Sequence, residues 1–250
     1  MSKIDQIIND LTLKEKVSLL SGFNSWYTNK IDRNGIPSIK MSDGPNGVRG
    51  DSNSGKSSAC FPCAISISSS WDLDQVKKIG VALGEEAQAK DVDVLLGPTI
   101  NIHRHPLGGR HFESFSEDPF LTGKIASSYV QGVQSQNVAA CLKHFVGNDT
   151  EFERHSISSN IDEQTLREIY LLPFEIGVKE GNAKVVMSAY NKLNNIYCSS
   201  HQELLIEILK KEWGFDGYVV SDWGAALETE ENANGGLDLE MPGPGNVWGN

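Results

Sequence analysis

Apolar residues at Ile4, Ile7, Ile8 and Leu11 recur at spacings of three and four, which predicts an N-terminal helix with one apolar face. A second start follows at Thr12-Leu-Lys-Glu15, where a hydroxyl residue and a glutamate three positions on make a capping-box pattern, with Gly22 as the stop. From there the chain alternates. Short apolar runs at 39–41, 64–67, 92–96, 138–142, 184–188, 217–220 and 237–239 predict strands. Between most of them lie helical patterns, over about 74–89, 119–135, 163–179, 202–212 and 224–233. Asp118-Pro119 supplies an N-cap with proline at the first helical position, and Asp162 and Ser200 stand at two other helix starts.

Strands separated by helices build parallel βαβ units. A doubly wound sheet would carry GxGxxG after its first strand, and none is present here. Polar motifs instead follow many different strands, the habit of a barrel whose site collects at the C-terminal strand ends. The expected fold class is therefore α/β: a (β/α)8 TIM-like barrel of about seven units, one domain spanning 1–250. After Leu237–Leu239 comes the loop Glu240-Met-Pro-Gly-Pro-Gly245, and five residues later the sequence stops. An eighth unit is expected to be absent, leaving open strand edges and a fragment of a longer protein. Segment 51–58 reads as a polar loop.

Composition narrows the function. With 250 residues, 39% hydrophobic and 22% charged, the chain is an ordinary globular protein with a sizeable core. A net charge of −11 argues against nucleic acid and anionic membranes as partners and suits a neutral ligand. The N-terminus has no cationic region followed by an apolar run, so a cytoplasmic location is expected. Cys60-Phe-Pro-Cys63 has redox or zinc spacing but no second pair, and with Cys141 and Cys198 it reads as ordinary reduced thiols.

Candidate chemistry gathers just after strands. The segments are Ser42-Asp43-Gly-Pro-Asn-Gly47-Val-Arg49, Gly108-Gly-Arg110-His-Phe-Glu113-Ser-Phe-Ser-Glu-Asp118-Pro, Lys143-His144-Phe145 and Ser221-Asp222-Trp223. Asp222 ends an apolar strand, so it either caps the next helix or presents a carboxylate at the barrel mouth, with Trp223 as a wall for a sugar ring. Asp43 either forms the turn before Gly44-Pro45 or offers charge-assisted bonds to hydroxyls. Arg110 could pair with Glu113 or Asp118, and His144 could be a satisfied core histidine. His103-Arg-His105, with His111, lacks the spacing of a zinc site.

In this order and at these spacings, the segments resemble glycoside hydrolase family 3, from about residue 10 to the last residue. The likeness is greatest to the signal-less β-glucosidases that carry Ser-Asp-Gly-Pro-Asn-Gly. The resemblance implies a retaining glycoside hydrolase that releases β-D-glucose from terminal non-reducing β-D-glucosyl residues, with a β-glucoside or cello-oligosaccharide as substrate and no metal or cofactor. It implies Asp222 as the nucleophile, Asp43, Arg110, Lys143 and His144 as sugar-binding residues, and Tyr190 in Met187-Ser-Ala-Tyr-Asn191 beside the nucleophile. Arg49 and Glu113 are candidates for support around them. In the family's N-acetylglucosaminidases a His/Asp pair in a Lys-His-Phe-Pro-Gly context supplies the proton. Here Val-Gly-Asn-Asp follows Lys-His-Phe, which leaves Glu151-Phe-Glu153-Arg154-His155 without that pattern and points to an acid in a second domain. A β-xylosidase or mixed-specificity enzyme of the same family, or a sugar-binding fragment without activity, are the alternatives.

Overall fold

A computed structural model of the protein describes residues 2–50 and 56–248; of the expected loop at 51–58, residues 51–55 lie outside them. The chain opens with α1 (Lys3–Asp10) and α2 (Leu13–Ser18), both begun by capping boxes, Ser2 with Asp5 and Thr12 with Glu15. There follow β1 (Met41–Asp43), α3 (Ala64–Ser68), α4 (Leu73–Ala89), β2 (Val94–Leu96), α5 (Pro119–Gln134), β3 (Ala139–Phe145) and the short β4 (Ser158–Ser159). Next, α6 (Glu163–Thr165) runs through the π-helical stretch Leu166–Leu171 into α7 (Leu172–Lys179). The rest comprises β5 (Val185–Ser188), the hairpin β6 (Lys192–Leu193) and β7 (Ile196–Tyr197), a π-helical stretch Glu203–Glu212, β8 (Tyr218–Ser221) and α8 (Thr229–Gly235).

The main sheet has five parallel strands in the order β1-β2-β3-β5-β8. It curls as an incomplete α/β barrel with helices outside. Residues along each strand alternate between two apolar layers, as the period of two requires. Leu95, Leu142, Val186 and Val219 face the helices, whereas Met41, Val94, Leu96, Cys141, Val185, Met187 and Val220 fill the barrel interior. This parity aims the chemistry. Asp43, Lys143 and Asp222 are the next positions in phase after Met41, Cys141 and Val220.

Two expected strands differ. Residues 64–67 are helical: Ala64 and Ile67 are buried while Ile65 is exposed, a period nearer three than two. The apolar run alone could not separate the cases. Residues 237–239 contribute a parallel bridge from Leu239 to Val220 rather than a strand. The helix expected at 224–233 begins later, at Thr229.

The expected open edges are covered. Beyond β8 the bridges run Val220 to Leu239, Glu240 to Ser21 (both parallel), Gly22 to Thr28 and Tyr27 to Lys40 (both antiparallel), which returns to β1. The Glu240 N–H donates to the Leu20 carbonyl at 2.8 Å, and the Gly22 N–H to the Glu240 carbonyl at 3.0 Å. An N-terminal hairpin thus stands where further β/α units would, and satisfies the edge groups. The Glu240 side chain accepts backbone N–H bonds from Asn246 and Trp248 at 2.6 and 2.7 Å, pinning the loop that follows.

Outside the sheet, α4 and α5 cross at Gly80 and Gly132. A Cβ at Gly132 would lie 2.3 Å from the Lys77 carbonyl oxygen, and one at Gly80 would lie 2.5 Å from that of Tyr129. Backbone cannot yield as a flexible side chain can. Gly132→Ala is expected to destabilise the fold by about 1–3 kcal/mol through overpacking, read as a lower urea midpoint at unchanged slope. A neutral result would mean that the helices slide apart freely. Among the described residues no helix is long and apolar enough to cross a membrane, and Cys60, Cys63, Cys141 and Cys198 are all free.

Candidate active site

The C-terminal ends of the barrel strands enclose a cavity of about 270 Å³. That is small beside the pockets of drug-sized ligands and suits one sugar ring. Leu96 and Met187 continue the barrel core into its lining, and Asp43, Arg110, Lys143, His144, Tyr190, Asp222 and Trp223 stand around it. All seven side chains singled out in the sequence are therefore together.

Asp222 follows β8 directly and is 8% exposed. Its Oδ1 accepts the Trp223 N–H at 2.8 Å, while Oδ2 is buried without a hydrogen-bond partner. Burial pushes its pKa above the ordinary aspartate value, against the opposing pull of Lys143, the Trp223 N–H, Arg110 and the nearby Tyr190 hydroxyl. A desolvated, unpartnered carboxylate oxygen on a side chain that lines a cavity, with Lys143 and Arg110 opposing its protonation, has the character of a nucleophile. His144 Nε2 lies 3.5 Å from the same oxygen, too far for a hydrogen bond.

Opposite, Lys143 Nζ donates to Asp43 Oδ1 at 3.0 Å, and Arg49 stands 3.7 Å from Asp43 Oδ2. Burial works to raise the Asp43 pKa, but Lys143 and then Arg49 outweigh it and hold the group below its usual range. The pair offers a fixed acceptor and a fixed donor, which suits hydroxyls that do both. Arg110 is bound to Glu113, the pairing left open by the sequence, and also faces Glu151 at 4.0 Å. It lines the cavity nonetheless. Asp118 is engaged elsewhere, capping α5 through the Leu121 N–H at 2.7 Å.

Three contributors escaped the sequence reading. Trp26, from the N-terminal hairpin, meets Trp223 with ring centroids 5.4 Å apart, and Trp223 Nε1 donates to the Ser25 carbonyl at 2.9 Å. Nothing in the local pattern at 24–28 announces a sugar wall, because the pairing joins opposite ends of the chain. Arg154 sits 4.7 Å from the centroid of the Tyr190 ring while bonding Glu151 at 2.6 Å. Tyr190 in turn donates to the Trp223 carbonyl at 3.0 Å. The third is Asn101, whose side chain is wholly occupied with His144.

The sequence model of the glycosyl hydrolase family 3 N terminal domain matches residues 2–238. The chain belongs to glycosyl hydrolase family 3. Its family relatives include a beta-glucosidase of Rhizobium radiobacter, 55% identical over 96% of this chain and 30% of that protein. Another is thermostable beta-glucosidase B of Acetivibrio thermocellus, 51% identical over 96% of this chain and 33% of its own length. Among solved family 3 structures, the beta-glucosidase of Kluyveromyces marxianus in complex with glucose superposes with a TM-score of 0.96 at 47% identity, over 98% of this chain and 30% of that one. Beta-glucosidase 3B of Thermotoga neapolitana in complex with glucose gives 0.93 at 44% identity, over 97% and 37%. The chain thus spans about a third of the length of the relatives it matches.

Proposed function

We propose that this chain carries the catalytic barrel of a retaining β-glucosidase acting on terminal β-D-glucosyl residues of small β-glucosides or cello-oligosaccharides. The observation that carries the proposal is the unpartnered Asp222 Oδ2, buried in a sugar-sized cavity together with Asp43, Arg110, Lys143 and His144. Names and bound glucose among the relatives support the choice of sugar.

In this reading Asp43 and Lys143 grip hydroxyls of the non-reducing ring, and Trp26 and Trp223 form the apolar wall. Asp222 Oδ2 attacks the anomeric carbon. The C1–O bond to the leaving group breaks, and a proton from a general acid neutralises the departing oxygen. Water then attacks C1 of the glycosyl ester from the leaving-group side, its proton returning to the same group, and β-D-glucose leaves with Asp222 restored. Four free thiols suit a reducing, cytoplasmic setting.

The test is to trap the intermediate in the full-length protein. A 2-deoxy-2-fluoro-β-glucoside with a dinitrophenolate leaving group forms the ester but hydrolyses it slowly. Peptide mapping should find the fluoroglucosyl adduct on Asp222. An adduct on another carboxylate, or turnover with no accumulation, would remove Asp222 from the role.

A further inference from the structure

Asn101, in the loop after β2, is 6% exposed and spends its whole amide on one neighbour. Its Nδ2 donates to the His144 carbonyl at 2.8 Å, and its Oδ1 accepts the His144 backbone N–H at 2.9 Å. These two bonds settle which amide atom is oxygen, because exchanging them would set donor against donor and acceptor against acceptor. The same Oδ1 lies 3.1 Å from His144 Nδ1. An amide oxygen cannot donate, so the proton of that contact belongs to Nδ1.

We propose that Asn101 is a positioning residue that holds His144 as the Nδ1–H tautomer, so that Nε2 meets the substrate as a hydrogen-bond acceptor. The proposal deepens the glycosidase reading and rests on it for the identity of the substrate. The consequence concerns specificity. Nε2 and Asp222 Oδ2, 3.5 Å apart, then both present lone pairs to one region of the cavity. A ligand meets Nε2 with a hydroxyl hydrogen, while Oδ2 faces the carbon it attacks in the proposed reaction. An ether or a fluorine facing Nε2 cannot donate and binds more weakly.

The surroundings favour the neutral imidazole. Burial, then the charges of Arg110, Lys143 and Arg154, depress the His144 pKa well below its ordinary value. Asp222 stands on the remaining side, and the small polar cavity behind the ring contains Asn148, His111 and Asp149. Burial raises Asp149 to about 6, so its titration needs a control.

Two measurements on the full-length protein decide the matter. The first is ¹⁵N NMR of labelled histidine without substrate: His144 should show a protonated Nδ1 and a bare Nε2 through neutral pH. A protonated Nε2 overturns the proposal even if the protein hydrolyses glucosides, and a protein that hydrolyses none overturns the glycosidase reading while this measurement still assigns the tautomer. The second compares Asn101→Asp with Asn101→Ala. The aspartate still accepts both His144 protons, but it loses the donor to the His144 carbonyl and sets a carboxylate oxygen against it. Its charge also raises the imidazole pKa, and protonation fills Nε2. KM for an aryl β-glucoside should therefore be raised at high pH by the lost bond and rise by a further factor of about 10–100 as pH falls through that pKa, an extra acid limb absent from wild type and from Asn101→Ala. Adding Asp149→Asn should leave the limb in place. Asn101→Ala should raise KM at every pH. Equal impairment of both variants with no added limb would show a merely structural role and sink the proposal.

Discussion

Asp222→Gly in the full-length protein is expected to lower turnover of aryl β-glucosides by more than about 10⁴-fold, the scale of nucleophile removal in other covalent hydrolases. The loss should exceed that of any other single change in the cavity. Its neighbours bind in both ground and transition state, whereas Asp222 forms the bond that defines the path. The shortened side chain also leaves space beside the Trp223 N–H. Azide entering there would approach the anomeric carbon from the face the carboxylate had occupied, so rescued turnover should yield α-glucosyl azide. Formation of β-glucosyl azide, or a rate close to wild type, would place the nucleophile elsewhere.

The 250-residue chain by itself should discriminate sharply by leaving group. A 2,4-dinitrophenyl β-glucoside, which needs little protonation, should be cleaved, while cellobiose should lag by an additional factor of about 10²–10⁴, the usual worth of a general acid. The reason lies in the fates of the carboxyl groups. Among the described residues, the carboxylates lining the sugar cavity are Asp43 and Asp222. Asp43 is tied to Lys143 and kept ionised, and Asp222 is the proposed nucleophile. Glu113 and Glu151 are paired with Arg110 and Arg154. Asp149, a second carboxyl whose pKa burial raises, faces the polar cavity behind His144. Cellobiose cleavage by this chain at roughly 1–10³ s⁻¹, an ordinary enzymic rate, would mean that one of these groups donates after all.

The parts legible in the sequence were those whose cause is local. Short apolar runs marked the central strands, and the polar Ser-Asp-Gly, Lys-His and Ser-Asp-Trp segments that follow them marked the candidate carboxylates and lysine. Helix starts at Asp118-Pro119 and Asp162 were readable because the capping side chain and the backbone amide that donates to it are three residues apart. The hairpin β6–β7 carried a signal in Asn194-Asn195, both at positive φ, since asparagine tolerates that region better than most residues. It was not used. What stayed hidden were pairings between distant positions: Trp26 with Trp223, Asn101 with His144, and Arg154 with Tyr190. The run Ala64–Ile67 failed for a different reason. Three apolar residues with Ser66 among them fit one turn of either period, and only their packing decided.

The return of the sheet to residues 20–28 also sets the order of assembly. Leu20 and Glu240 lie at nearly opposite ends of the described chain, and pairings of such long sequence separation carry the largest loop-closure cost and form slowly. On a translating ribosome the N-terminal hairpin must wait, with its edge groups unmatched, until Glu240 has left the exit tunnel. Trp26 cannot reach Trp223 before then. The contact between Trp26 and Trp223 is therefore completed late in the synthesis of residues 1–250, and the waiting hairpin is a segment that a chaperone would shelter.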